Sequence, residues 1–510
     1  MCSRVLGLIR EQVFAGLFGA GRNLDIFLIA FRVPNLLRDL FAEGALSTAF
    51  VTTFSKKIAT EGDESAWALA SKMATLTAIF MSAITLIGIL FAGQLIALIA
   101  PGFAPEDAAM TILLTRIMFP FILMVSLAAL VMGMLNAKHV FGMPAMASSF
   151  FNIGSVVAGV GLGWCFDPHF GQRALIGLAS GTLVGGFLQL VVQLPSLRHV
   201  GYRFVADFRW RDPGVRTVLA LMAPAVIAAS AVQVNVLVNS MFASYLEPGS
   251  VAWLSIAFRL MQLPLGIFGV AIGTVTLPLV ARSAALGNTD EFRSILARGM
   301  RLALLLTIPS TIGLMMLARP IISVIYEHGR FTATMTEQTA LALQYYAIGL
   351  AAYSALKVLT PAFYAIDRRK TPMMVSFLSI AMNLLLNWFF TFHLELAHRG
   401  LALSTGLVAT MNFAILYLLM RRHVRGLETR TMAIALAKLA VASGVLALVC
   451  LAAQTFLFVD LSQMRFLAKT CALFVTIGIG ATLFFATAYL LKIDEVQDLT
   501  HMLARRFSRK

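Results

Sequence analysis

Residues 67–99 read WALASKMATLTAIFMSAITLIGILFAGQLIALI, with Lys72 the single charged side chain in the run. A helix crosses the hydrocarbon of a bilayer with about 20 mostly apolar residues, and a membrane β-strand needs only about 9–11. This run is too long for a strand and too poor in polar positions for a helix on a soluble core. Stretches of the same kind recur along the whole chain, at 1–18, 24–53, 108–136, 144–165, 174–196, 217–245, 250–281, 294–326, 336–364, 373–393, 400–420, 432–458 and 465–491. The sequence therefore predicts an all-α polytopic membrane protein of about 14 transmembrane helices. The composition agrees: of 510 residues, 59% are apolar and 13% charged, against roughly 45–50% and 25% in a soluble globular chain. The same figures exclude a disordered chain, a disulfide scaffold and a collagen-like fibre. The connectors are short, which leaves no room for a soluble domain.

The net charge of +16 takes its meaning from where the 40 cations sit. Connectors after even-numbered spans, with their flanks and the tail, hold 24 of them, and connectors after odd-numbered spans hold 7. Positive charge collects on the cytoplasmic side, so this split predicts cytoplasmic even-numbered connectors and cytoplasmic termini. Nine cations remain inside the spans: Arg4, Arg10, Arg32, Arg38, Lys72, Arg116, Arg259, Lys357 and Lys438. Lys72, Arg116 and Lys438 lie near span ends, where a long side chain can snorkel to the interface. The others sit deeper, where a charge is costly and needs a carboxylate, a cavity or a ligand.

A weak internal repeat links the two halves. Ala30-Phe31-Arg32 recurs as Ala257-Phe258-Arg259. Ala92-x-x-Leu95-Ile96-x-Leu98-Ile99 recurs as Ala318-x-x-Ile321-Ile322-x-Val324-Ile325, and Pro144 matches Pro372. Each match pairs span n with span n+6. An even number of spans per copy predicts two six-helix parallel-repeat lobes around a central cavity, related by an axis along the membrane normal. The expected divisions are 1–211 for the N-terminal lobe, 212–426 for the C-terminal lobe, and 427–510 for two appended helices and a basic cytoplasmic tail.

The first span carries Ser3, Arg4 and Arg10. The second carries Asp25, Arg32, Arg38, Asp39 and Glu43, with Pro34 between. Asp25, Arg32 and Asp39 are seven apart and share a helix face, with Glu43 one turn on, a spacing that favours a ladder of ion pairs. Arg38 stands about 100° round the helix from Asp39. In the eighth span, the nearest carboxylate to Arg259 is Glu247, more than two turns away. Arginines that converge on a cleft predict an anionic substrate, because the guanidinium fork holds phosphate or carboxylate bidentately at any relevant pH. Pro34, and Pro264 with Gly266, Gly269 and Gly273, can bend their helices, although such residues are common in membrane spans.

Other chemistries find little support. There is no phosphate-binding loop, no HExxH and no paired His and Cys cluster, so neither an enzyme, a cofactor nor a metal site is predicted. The four cysteines show no paired spacing, and the first residues, with Arg4 and Arg10, do not read as a signal peptide. The loop Arg198 to Arg216, with Tyr202, Phe204, Phe208 and Trp210, reads as an interfacial segment touching anionic headgroups and not as a nucleic-acid surface. The tail from Asp494 to Lys510 reads as a short basic amphipathic helix.

Several motifs carry a resemblance. Ser3-Arg4-Val5-Leu6-Gly7-x-x-Arg10, Phe18-Gly19-Ala20-Gly21, Asp25-x-Phe27 and the run from Arg32-Val33-Pro34-Asn35-Leu36-Leu37-Arg38 through Glu43-Gly44-Ala45-Leu46-Ser47 resemble the start of the MurJ (MviN) family of lipid II flippases. Arg259-Leu260-Met261-Gln262-Leu263-Pro264-x-Gly266-x-x-Gly269-Val270-Ala271-x-Gly273 and Tyr326-x-x-Gly329-x-Phe331 resemble it too. The resemblance implies a fold related to multidrug and polysaccharide exporters. It implies transport of lipid II (the undecaprenyl-pyrophosphate-linked disaccharide peptide) from the inner to the outer leaflet of the bacterial inner membrane. Arg4, Arg10, Asp25, Arg38 and Arg259 would be the substrate-binding residues, with Ser3, Glu43 and Lys357 as gate or accessory positions. The last two helices would hold the polyprenyl tail.

Two features depart from the family. Relatives usually carry over a dozen residues before the Ser-Arg-Val-Leu-Gly motif, and here Ser3 is third, which makes the first span short. Some relatives bind sodium through acidic ligands in the seventh and eleventh spans, whereas those spans here offer Asn235, Asn239, Asn383 and Asn387, which read as interhelical amide hydrogen bonds. Two other readings stay open: an exporter of another lipid-linked glycan or a drug, and a non-transporting scaffold whose partners are other cell-wall synthesis proteins.

Overall fold

The computed structural model describes residues 2–459, 461 and 463–498, less the side chains of residues 2, 42–45, 225, 227–229, 231 and 232. Among the described residues every regular element is helical. In order they are α1 (Cys2–Phe18), α2 (Arg22–Leu37), the π-helix π1 (Arg38–Leu46), α3 (Ser47–Glu61), α4 (Asp63–Leu90), α5 (Ala92–Ile99), α6 (Pro105–Met118), α7 (Phe121–Ala137), α8 (Gly142–Phe166), α9 (Ala174–Val191), α10 (Leu194–His199) and α11 (Pro213–Ser244). There follow α12 (Ser250–Pro264), the π-helix π2 (Leu265–Gly269), α13 (Val270–Ala285), α14 (Thr289–Met316), α15 (Ala318–Tyr326), α16 (Ala333–Ala347), α17 (Leu350–Ala365), α18 (Lys370–Phe392), α19 (Ala397–His423), α20 (Thr429–Phe456) and α21 (Phe466–Leu490).

Each span read from the sequence falls on a helix or on consecutive helices. Among the described residues, ten helices are long and apolar enough to cross a membrane, and eleven if α16 and α17, bent by 43°, count as one. The chain is thus a multi-pass membrane protein. The breaks have physical causes. Pro34 precedes π1 and Pro264 precedes π2. Each proline removes an amide from the ladder, and the helix widens to accommodate the loss. The two π-helices begin 227 residues apart, at Arg38 and Leu265, the same spacing as the Ala-Phe-Arg repeat.

By its packing the chain divides into two units, Met1–Ala252 with His328–Phe331, and Trp253–Glu327 with Thr332–Lys510. The expected boundary at residue 211 marks the sequence repeat. The packing boundary falls later because α11 lies against α3, α5 and π1 of the first unit.

In the first unit, α8 and α9 pack backbone to backbone. A Cβ added at Gly177 would lie 2.1 Å from the Gly163 nitrogen, and one at Gly181 would lie 2.3 Å from the Gly159 Cα. Small residues at one-turn spacing permit this approach, as is usual where lipid removes the hydrophobic drive between helices. Lys72 corrects the snorkelling expectation: it is 7% exposed, and its ammonium pairs with Asp212, the residue that caps α11. The loop His328–Phe331 is tied here as well. Arg330 donates its N–H to the Gly16 carbonyl at 2.7 Å and its guanidinium to the carbonyls of Phe170 and His169 at 2.8 and 2.5 Å.

The core of the second unit gathers α14, α17, α19, α20 and α21 around residues such as Met300, Leu359, Met420, Leu439 and Phe484. The pair α20 and α21 is clamped to it near both ends. At one end Arg301 of α14 binds Glu428 at 2.7 Å and Glu495 at 2.5 Å. At the other, Lys469 donates to Ser323 at 2.9 Å and lies 3.8 Å from Glu327, which also accepts from Thr336 at 2.8 Å. At that same end Gln454 donates to the Met316 carbonyl. Lys438, expected to snorkel, donates to the Lys492 carbonyl at 2.8 Å. Most of the predicted basic tail lies outside the described residues.

Candidate functional site

Ser3, Gly7 and Arg10 are four and three residues apart and share one face of α1. That face meets Phe151 and Asn152 of α8. The Asn152 amide donates to the Ser3 carbonyl at 3.2 Å, and Gly7 is buried against the same side chain. The Arg10 guanidinium stands 5.1 Å from the centre of the Phe151 ring, a cation–π contact that orients a half-buried charge. Arg4, one helical step from Ser3, is exposed. Neither Phe151 nor Asn152 carried a signal in the sequence, since an aromatic and an amide in an apolar span read as ordinary packing.

Asp25 takes a different place from the one expected. It is 1% exposed. One carboxylate oxygen accepts the Gly249 N–H at 2.6 Å and the other the Ala252 N–H at 2.8 Å. Asp25 therefore caps α12 from a distance, satisfying amides that the first turn leaves open and placing a negative charge at the positive end of the helix dipole. This leaves it no exposed surface to offer a ligand. What it positions is the helix that carries Arg259.

Arg38 opens π1. Its Nη2 and Nε donate to the same oxygen of Asp39 at 2.8 and 3.2 Å, and the second Asp39 oxygen accepts from Gln233 of α11 at 3.4 Å. The expected separation of Arg38 from Asp39 is corrected here. A helical step parts the Cβ atoms, but an arginine is long enough to bend across it. The side chain of Arg38 is still 21% exposed. The side chain of Glu43 lies outside the described residues.

In the second unit Arg259 on α12 and Lys357 on α17 are both exposed. The glycines after Arg259 set the backbone around Lys357: a Cβ on Gly273 would lie 2.6 Å from the Lys357 carbonyl oxygen, so α13 and α17 touch at the main chain. Of the four asparagines considered for sodium, Asn387 donates to Asn383 at 3.2 Å and accepts from Ser404 of α19, so this amide joins two helices. Taken by itself, the first unit offers permanent cations held in apolar helices, with Arg10 and Arg38 oriented by neighbours and Arg4 exposed, and the second unit offers Arg259 and Lys357 at its own surface.

Residues 14–471 match the family described as Lipid II flippase MurJ. The chain is 36% identical to the lipid II flippase MurJ of Burkholderia cenocepacia over 429 residues, which is 83% of this chain and 82% of that protein. It is 34% identical to the probable lipid II flippase MurJ of Vibrio cholerae over 461 residues, 88% of this chain and 85% of that protein. Among solved structures, a lipid II flippase MurJ in an inward closed conformation superposes with a TM-score of 0.73 at 25% identity, covering 95% of this chain and 97% of that one. An inward-facing multidrug transporter of the MATE family superposes with a TM-score of 0.70 at 15% identity, covering 83% and 94%, and shares the fold. The chain belongs to the lipid II flippase MurJ family.

Proposed function

We propose that this protein flips lipid II from the cytoplasmic to the periplasmic leaflet of the bacterial inner membrane by alternating access. The family match over residues 14–471 carries this reading. In it, 1–211 and 212–426 act as the two six-helix lobes, and α20 and α21 form the groove for the polyprenyl tail. Arg4, Arg10, Arg38 and Arg259 are the groups that meet the pyrophosphate and the anionic peptide. Ser3, Glu43 and Lys357 serve as accessory or gate positions, and Asp25 acts through α12. The exposure of Arg4 and Arg259 in helices of apolar composition supports these roles, because an accessible guanidinium fork matches the geometry of phosphate and carboxylate. The substrate moves the equilibrium between inward and outward states by binding one of them better. The cation split supports cytoplasmic termini.

The test is rescue of a bacterial strain depleted of its own flippase, with lipid II labelled selectively in the outer leaflet. The wild-type chain restores outer-leaflet lipid II. Arg259→Ala and Arg38→Ala each lower the rate by about tenfold or more, the worth of one charge-assisted contact to phosphate, while the protein level in the membrane stays unchanged. Normal growth and labelling in both variants would remove the arginines from the mechanism. Failure of the wild-type chain to rescue, with correct membrane insertion, would favour a different lipid-linked cargo.

A further inference from the structure

The segment between α10 and α11, residues 200–212, is an irregular strap with a turn at each end, hung on α4, all of it within the first unit. Tyr202 is buried against Trp67, with ring centres 5.3 Å apart, and accepts from the Ser71 hydroxyl at 3.2 Å. The N–H groups of Val205 and Asp207 donate to the hydroxyls of Ser71 and Thr75 at 3.5 and 3.2 Å. The register fits because two residues can reach up to about 6.6 Å and one helical turn from Ser71 to Thr75 rises about 6 Å. The far end is fixed by Asp212, which caps α11 and binds buried Lys72. These anchors use backbone N–H groups and leave most side chains of the strap at the surface, Val205 included. Phe204, Phe208 and Trp210 are 59%, 63% and 57% exposed.

The acids of the strap are already neutralised. Arg209 grips Asp207 through both carboxylate oxygens, at 3.0 and 2.7 Å, and pushes its carboxyl down to about 2. Burial raises the Asp212 carboxyl, but the Lys72 ammonium and two backbone amides outweigh it and hold the group below its usual value. Arg198 and Arg203 are different. Both are exposed, and among the described residues neither has a carboxylate partner. They line one cavity of about 700 Å³ whose other walls include Leu194, Leu197, Tyr202 and Phe204. Two guanidiniums over an apolar floor, beside a row of outward aromatics, suit a ligand that is anionic at one end and greasy at the other.

We propose that this cavity and strap form a binding site for an anionic phospholipid of the cytoplasmic leaflet, with the phosphate on Arg198 and Arg203 and the upper acyl chain along Phe204 and Phe208. The charge attracts the headgroup, and the aromatic row accounts for the lipid in preference to a free anion, which has no use for exposed apolar surface. The site rests on the orientation read from the cation split and not on the identity of the transported lipid.

The test uses the full chain in nanodiscs of phosphatidylcholine into which brominated phosphatidylglycerol or brominated phosphatidylcholine is mixed. Quenching of Trp210 is read as the difference between wild type and Trp210→Phe. Brominated phosphatidylglycerol is expected to quench at far lower mole fraction than brominated phosphatidylcholine, by about fivefold per arginine and near thirtyfold for the pair. Arg198→Gln with Arg203→Gln brings that preference close to one without lowering the melting temperature in phosphatidylcholine discs, and Arg203→Lys retains it. Equal quenching by the two lipids in the wild type would overturn the proposal, as would a preference that survives the double substitution. Displacement by millimolar inorganic phosphate would overturn the lipid in favour of a free anion. Should the double variant fail to fold, the wild-type comparison of the two lipids decides alone.

Discussion

At the residue scale, the position most changed by the structure is Asp25. Its motif suggested a ligand group, but its two oxygens are spent on the Gly249 and Ala252 amides. No local pattern could have revealed this, since the partners lie 224 and 227 residues away. A cap and a ligand make different predictions. Asp25→Ala leaves two buried amides without an acceptor, at about 1–3 kcal/mol each, with loss of the cap included in that figure. Asp25→Asn keeps one acceptor oxygen and should recover about half the loss. Thermal unfolding in detergent measures both. If Asp25→Ala melts with the wild type yet fails to transport, the cap is not what the residue is for. If Asp25→Asn is stable and transports at a normal rate, its charge has no part in binding substrate. Arg38 and Lys72 teach a related lesson. The sequence placed both correctly in their spans, but the carboxylates beside them depended on a side chain bending over one helical step and on a loop 140 residues away.

At the element scale, helices were legible and their joints only partly so. Each long apolar run falls on helix, ten or eleven of the described helices being long and apolar enough to cross a membrane, and Pro34 and Pro264 stand just before π1 and π2. The attachment of α20 and α21 was not legible, because Arg301 meets Glu428 and Glu495 from 127 and 194 residues away and nothing in their own segments announces a partner. The clamp has a testable weight. Arg301 is 9% and Glu495 3% exposed, and breaking a buried pair from one side costs about 3–5 kcal/mol, because a charge is left unmatched. Glu428 still serves Arg301 in Glu495→Ala, so the loss should fall at the lower end of that range. The effect should also be local. Hydrogen exchange is expected to rise through α20, α21 and the adjoining end of α14, while the backbone contact of α8 with α9 stays protected. Uniform exchange across the chain would mean that Glu495 stabilises the whole fold, and unchanged exchange would mean that the apolar seam around Leu439, Leu446 and Phe484 holds the pair unaided.

At the scale of the whole molecule, the cation distribution makes a claim about direction that can be tested apart from transport. Connectors that follow even-numbered spans carry most of the Lys and Arg, and cytoplasmic placement of those connectors fixes the side of every other one. Two exposed positions report on the two sides. Glu64 lies in the connector between the second and third spans, and Arg173 lies between the fifth and sixth. In a chain whose four cysteines are first replaced by alanine, Arg173→Cys should react with a membrane-impermeant maleimide on intact spheroplasts. Glu64→Cys should react only after the membrane is opened. Both substitutions remove charge from short loops, so each is paired with a second cysteine in the same connector, Gln172→Cys and Gly62→Cys, to show that the label reports topology and not a flipped orientation. Labelling of both sides in intact cells would mean mixed insertion, and the reverse pattern would invert the molecule. The strap at residues 200–212 would then face the periplasm and lose its claim on a cytoplasmic lipid, because the same cations would stand on the outer surface.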